Sequence, residues 1–126
     1  MVQVETSQLT GECNSWREKL RQYREEFSKD KTKLQDKASR SLSRDQLQQV
    51  EHLHNQFHIQ LINIHDLKHA IKSHEQKIRF SMSVDNGKIS SDTVAEHEDL
   101  HDQYQSLEST LQDLREEFDE FLNRTS

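Results

Sequence analysis

Hydrophobic residues recur along the first third of the chain at alternating steps of four and three residues. The series is Leu9, Cys13, Trp16, Leu20, Tyr23, Phe27, Leu34 and Ala38. This heptad repeat is typical of a helix that packs along one narrow stripe. Asp30 and Lys31 occupy its one polar level. We predict a helix over residues 9–38 and expect this level to be exposed, although a polar core position can also select register or partner.

The second segment has a hydrophobic column with a strict period of seven. Its members are Val50, Phe57, Ile64, Ile71 and Ile78. A second column contains Leu47, Leu61 and Met82, with polar residues between them. Before both columns, Ser43 and Gln46 have the spacing of a capping box, in which each side chain binds the other residue's backbone N–H. We therefore predict a second helix over residues 44–83.

The third segment follows the strongest turn signal in the chain, Asp85-Asn86-Gly87. Thr93 and Glu96 again have capping-box spacing. The seam that follows has no break, and its members are Leu100, Tyr104, Leu107, Leu111, Leu114, Phe118 and Phe121. This pattern predicts a third helix over residues 93–123.

Short connections make successive helices antiparallel neighbours. We therefore predict an all-α fold, an elongated antiparallel three-helix bundle or coiled coil that forms a single domain over residues 9–124 behind a flexible tail, 1–8. The alternative is an extended hairpin or rod whose seams are completed by a second chain. In outline, three helices with Trp16 on the first resemble a spectrin-like three-helix repeat, and no fuller motif of that family is found.

Composition and charge narrow the possible partners. Hydrophobic residues make up 30% and charged residues 32%, which suits narrow stripes between helices better than a broad core. Residues 85–126 contain three Lys or Arg and twelve Asp or Glu, a net charge of −9, which argues against nucleic acid as a ligand. The sequence lacks an apolar run long enough for a membrane span. One cysteine and no signal-like start favour a cytoplasmic protein.

Four histidines of the second helix share one stripe: His54, His58, His65 and His69. At 100° per residue, the stripe borders the hydrophobic column, and we expect it to lie close to the acidic third helix. Because histidine titrates near neutrality, this position suggests a pH-sensitive contact.

A second set of polar residues is expected near the joint between helices two and three. Its members are Cys13, His69, His74, His97 and His101, with Cys13 expected beside His69. Thiolate and imidazole are ligands that Zn²⁺ prefers, so this cluster is the best metal candidate. The structural alternative is a set of histidines paired with nearby carboxylates. Two Glu-x-x-His motifs also occur, but the bundle places them at opposite ends, too far apart for a shared di-iron site.

The sequence lacks a phosphate loop and a recognisable nucleophile–base pair, so we expect a non-enzymatic protein without a cofactor. The preferred interpretation is a protein–protein interaction or scaffolding module, a rod-like segment of a larger assembly that can form homo-oligomers. The alternative is a small metal-binding helical bundle. Residues expected to contact partners are Trp16, Tyr23, Phe27, Ile59, Ile62 and Phe80.

Overall fold

Three long α-helices account for most of the chain. The computed structural model describes residues 6–40, 42–84 and 89–125. The helices are α1 (Thr6–Ala38), α2 (Arg44–Val84) and α3 (Ser91–Thr125), and they agree with the predicted ranges to within three residues. Thr6, Ser7 and Gln8 belong to α1 instead of a tail. The predicted tail residues 1–5 and the predicted turn at 85–87 lie outside the described residues.

The helices pack as the heptad patterns predict. α1 packs against α2, and α2 packs against α3, which confirms the all-α three-helix bundle. α2 runs antiparallel to both α1 and α3, and α1 and α3 also touch each other, as in the contact of Trp16 with His97. At 1.5 Å per residue, the 41 residues of α2 span about 60 Å.

The core is built from the heptad residues of all three helices. Phe27, Phe57 and Phe118 contribute one ring from each helix at the middle of the bundle. Phe57 lies between the other two, with ring centroids 5.4 Å from Phe27 and 5.2 Å from Phe118. Both contacts are edge-to-face, the arrangement that aromatic pairs favour. This layer ties the three helices together at one level.

Asp30 of the polar level of α1 is buried, so the prediction that this level is exposed is wrong for Asp30. Asp30 has only 5% of its surface exposed. The guanidinium Nε of Arg115 lies 3.6 Å from its Oδ2, too far for a hydrogen bond. Among the described residues, this Oδ2 is the buried side-chain oxygen or nitrogen that has no hydrogen-bond partner. Burial raises the pKa of Asp30, although Arg115 opposes the shift.

Local capping explains where α2 and α3 begin. Gln46 Oε1 accepts a hydrogen bond from Ser43 N at 2.9 Å, and Ser43 Oγ accepts one from Gln46 N at 3.2 Å. The capping box predicted for α2 is therefore confirmed. The cap predicted for α3 is wrong by three residues, because Ser90 Oγ accepts the bond from Thr93 N at 3.2 Å. Glu96 instead binds His74 and Lys77 of α2.

Candidate functional site

A buried polar cluster lies where the C-terminal part of α2 meets the start of α3. His74 of α2 and His97 of α3 have 1% and 5% of their surfaces exposed, and Cys13 of α1 is fully buried. Each helix thus contributes one side chain that can bind a metal ion. One donor atom from each of the three residues lies within 4.8 Å of the other two. We refer to Cys13, His74 and His97 as the Cys–His–His cluster.

The inward-facing atoms of the Cys–His–His cluster are close together. His74 Nε2 lies 3.0 Å from His97 Nδ1, which is hydrogen-bond distance. Cys13 Sγ lies 3.8 Å from the same Nδ1. The two imidazoles therefore share their inner side with a thiol, in a region closed to solvent.

The outward-facing ring nitrogens each bind a carboxylate. His97 Nε2 lies 3.1 Å from Glu12 Oε2, and His74 Nδ1 lies 2.6 Å from Glu96 Oε1. Lys77 Nζ donates to the other oxygen of Glu96 at 2.9 Å. The hydrogen bond from His97 lowers the pKa of Glu12. Hydrogen bonds from Lys77 and then His74 lower the pKa of Glu96. Both carboxylates are thus held as acceptors.

The three contacts of the histidine pair constrain its protons. Ionised carboxylates only accept, so each outer nitrogen must donate, and the inner His74–His97 contact needs one further proton. A cation of another kind at the inner position would satisfy the same lone pairs.

The indole ring of Trp16 packs beside His97 of the histidine pair. The Trp16 ring centroid lies 4.8 Å from that of His97, 5.6 Å from that of His101 and 5.9 Å from that of Tyr104. Tyr104 donates its hydroxyl hydrogen to Glu108 Oε2 at 2.9 Å. Since Trp16 is the chain's one tryptophan, its fluorescence reports directly on this region.

A partly buried ion pair lies beside the cluster. Arg17 Nε donates to Glu75 Oε1 at 2.6 Å, and Glu75 has 4% of its surface exposed. Burial, together with the negative charges of Glu75 and Glu12, raises the pKa of Cys13 to about 12. An open groove of about 510 Å³ runs between α1 and α2 here, and its lining includes Gly11, Arg17 and Glu75.

The structure brings together three of the five residues predicted as metal ligands. His69 is exposed on α2, and His101 stacks on Trp16 outside the Cys–His–His cluster. Cys13 was expected beside His69 but lies beside His74, more than one helical turn further along α2. The carboxylates Glu12 and Glu96 were not predicted. Both directly precede cluster residues in sequence, which is the only local signal for them.

The predicted histidine stripe is not directed at α3. His58, His65 and His69 are exposed, and His54 is half-buried. The described histidine contacts from α2 to acidic residues of α3 are made by His52, whose Nε2 lies 3.0 Å from Glu117 Oε1, and by His74. The expectation that the stripe lies close to the acidic helix is therefore wrong, because the stripe is on the other flank of α2.

The residues predicted to contact partners divide into two groups. Trp16 and Phe27 are buried among the chain's own helices, and Tyr23 is partly buried against the core. These three are covered within one chain. Ile59, Ile62 and Phe80 are 45%, 47% and 66% exposed. They remain accessible to a partner.

Leu47, a member of the second hydrophobic column of α2, belongs with the exposed group. It is 44% exposed. Taking Leu47 as 0°, Ile62 and Phe80 lie at about 60° and Ile59 at about 120°, at 100° per residue. Buried Leu53 lies at about 240° on the same scale. We call Leu47, Ile59, Ile62 and Phe80 the outer face of α2, because they point away from the bundle core.

Comparisons with family models, curated proteins and solved structures find no match for this chain. Among the residues that the structure describes, no helix contains a hydrophobic stretch long enough to cross a membrane.

Proposed function

We propose that the chain is a non-enzymatic helical interaction module that binds a second copy of itself through the outer face of α2. The large exposed hydrophobic residues of the described chain carry this proposal. All four of them lie on α2, on the side opposite the core. Single exposed hydrophobic residues are common on protein surfaces, but confinement to one face of one helix is typical of a contact surface.

Charge complementarity favours a second copy as the occupant. α3 contains eleven Asp or Glu and two Lys or Arg. α2 contains five Lys or Arg, four Asp or Glu and six histidines. One copy therefore carries both an acidic helix and a neutral-to-basic helix. A twofold arrangement would pack the outer faces of two α2 helices against each other and place basic residues of each α2 near the partner's acidic α3, as isologous dimers do.

Such a module would act as a spacer or scaffold in an assembly of helical proteins. The free thiol of Cys13, buried in the core, suits a reducing compartment such as the cytoplasm. The proposal assigns no chemical step, cofactor, nucleic acid or membrane to the chain. Its energetics come from helix–helix packing, with charge setting the orientation.

Light scattering coupled to size-exclusion chromatography tests the proposal on untagged protein, from dilute to concentrated samples. The expected mass rises from the 15.0 kDa of one chain to twice that value. Ile62→Glu should hold the chain at the monomer mass, because a buried unpaired carboxylate opposes packing. Ser15→Glu, an exposed position on α1, is the charge-matched control and should dimerise like the original chain. A monomer mass at every concentration overturns the proposal.

A further inference from the structure

The donor atoms of the Cys–His–His cluster have the spacing of a tetrahedral metal site. Zinc bond lengths place two bound nitrogens about 3.4 Å apart, and a bound nitrogen and sulfur about 3.6 Å apart. The observed distances are 3.0 Å between His74 Nε2 and His97 Nδ1 and 3.8 Å between His97 Nδ1 and Cys13 Sγ. The third pair, His74 Nε2 and Cys13 Sγ, lies within 4.8 Å. Shifts of up to roughly 1 Å in one donor atom would therefore bring all three pairs to the spacing of a coordination sphere.

The outer partners of the histidines strengthen the case. Metal-bound histidines commonly donate their second ring N–H to a carboxylate, which fixes the tautomer and the ring orientation. Glu12 holds His97 and Glu96 holds His74 in this way. Each imidazole is thereby held with its other nitrogen on the inner side of the cluster, where His74 Nε2 and Cys13 Sγ both lie next to His97 Nδ1. A set of unrelated buried polar groups would not need this common orientation.

We propose that Cys13, His74 and His97 form a three-ligand site for a divalent transition metal ion, with Zn²⁺ as the best fit, and that Glu12 and Glu96 are its positioning residues. One thiolate and two imidazoles suit Zn²⁺ better than Mg²⁺ or Ca²⁺, which prefer oxygen ligands. A water molecule completes the tetrahedron. Binding displaces the thiol proton of Cys13 and the proton between the two rings, so the ion replaces a hydrogen bond with two bonds to nitrogen and one to sulfur.

The site would join all three helices. Cys13 is on α1, His74 on α2 and His97 on α3. An ion held by all three stabilises the closed bundle over separated helices, since the unfolded chain has no preformed site. The metal ion therefore has a structural role, which is to hold the three helices together. This role does not depend on whether the outer face of α2 binds a second copy.

Cobalt titration of untagged, chelator-treated and dialysed protein gives the first test. The expected result is one Co²⁺ per chain, with thiolate-to-metal absorption in the near ultraviolet and tetrahedral d–d bands in the visible. Zn²⁺ should abolish these bands, raise Tm and change Trp16 fluorescence. Absence of the thiolate band from the original chain overturns the proposal, whatever the variants do.

Variants separate this site from surface histidines. Cys13→Ser should remove the thiolate band and weaken Zn²⁺ binding more than Glu12→Gln, for which we expect a loss of roughly tenfold to a hundredfold. Glu12→Gln should also shift the d–d bands, which a purely structural role for Glu12 would leave unchanged. The control His65→Asn with His69→Asn removes an exposed histidine pair and should retain the bands, stoichiometry and affinity. Binding that survives Cys13→Ser but disappears in this control assigns the metal to the surface and contradicts the site.

Discussion

At the scale of single residues, the chain places a carboxylate where its own pattern calls for a hydrophobic side chain. Asp30 stands between Phe27 and Leu34 on the buried stripe of α1. Its Oδ2 has no hydrogen bond, and Arg115 is shared between it and Glu26, where the contact is shorter at 2.9 Å. Burial of a charged group with incomplete pairing costs stability. Sequence reasoning missed this burial because solvent exposure is the usual fate of a polar heptad position.

The Asp30→Asn substitution should raise the free energy of unfolding at neutral pH by on the order of 1 kcal/mol, because it removes a buried charge that is incompletely paired. Burial raises the pKa of Asp30 above its ordinary value of 3.8. The folded state therefore favours the neutral form of Asp30. The stability that this preference contributes is fully present below pH 3.8, the ordinary pKa, and is lost as the pH rises through the raised pKa of Asp30. The gain from Asn should shrink as the solution is acidified across that window. Other charged groups near Asp30 are Arg115, Lys33, Asp119 and Glu26.

Urea unfolding at several pH values measures this effect. Asp36→Asn is the matched control, since Asp36 is exposed on the same helix. Its free energy of unfolding should stay within a few tenths of a kcal/mol of the original chain. A loss of stability in Asp30→Asn at neutral pH would show that the pairing with Arg115 outweighs the cost of burial.

At the scale of the helices, the sequence was informative because helix signals are local. Heptad spacing and a capping box require only residues a few positions apart, so the predicted ranges match α1, α2 and α3 to within three residues. The error at the start of α3 has a physical cause. Two hydroxyl residues, Ser90 and Thr93, are spaced so that either can cap, and Glu96 is drawn into contacts with α2. The contacts of Glu96 with α2 thus favour Ser90 over Thr93 as the N-cap of α3.

Removal of the Ser43 hydroxyl should destabilise the bundle by about 1 kcal/mol, because Gln46 N loses its acceptor at the start of α2. Ser90→Ala should cost a similar amount through Thr93 N. The two caps belong to different helices and share no partner, so the double variant should lose about the sum of the single losses. Chemical unfolding followed by circular dichroism measures all three. If Ser43→Ala leaves the free energy of unfolding unchanged, water replaces the Ser43 hydroxyl as the acceptor of Gln46 N without a loss of stability.

At the scale of the whole molecule, the axial register of the helices determines which residues of different helices lie side by side, and the sequence does not predict this register. Periodicity indicates which face of a helix is buried, but it does not fix how far one helix slides along another. Cys13 was predicted beside His69 and lies beside His74, and this offset is why only part of the metal candidate gathers. The residues were recognisable as ligands from their types. Their carboxylate partners Glu12 and Glu96 depend on the register, so their adjacency to Cys13 and His97 in the sequence could not by itself identify them.

The aromatic layer at the middle of the bundle should make the three helices unfold together. Phe57→Ala should cost about 3–5 kcal/mol, because it removes a fully buried ring that contacts both Phe27 and Phe118. Phe80→Ala makes the same chemical change at a position that is 66% exposed, and it should cost well under half as much. Both free energies are measured in urea at concentrations where the chain is monomeric.

The unfolding of Phe57→Ala also reports on cooperativity. Circular dichroism follows all three helices, whereas Trp16 fluorescence follows the end of the bundle that contains His97 and His101. If the layer couples that end to the rest, both signals should change at the same urea concentration in the original chain and in the variant. Separate transitions would show that contacts beside Trp16 hold the histidine end together independently. That end would then be a cooperative unit of its own, and the polar contacts of His74 and His97 would stabilise it without the phenylalanine layer.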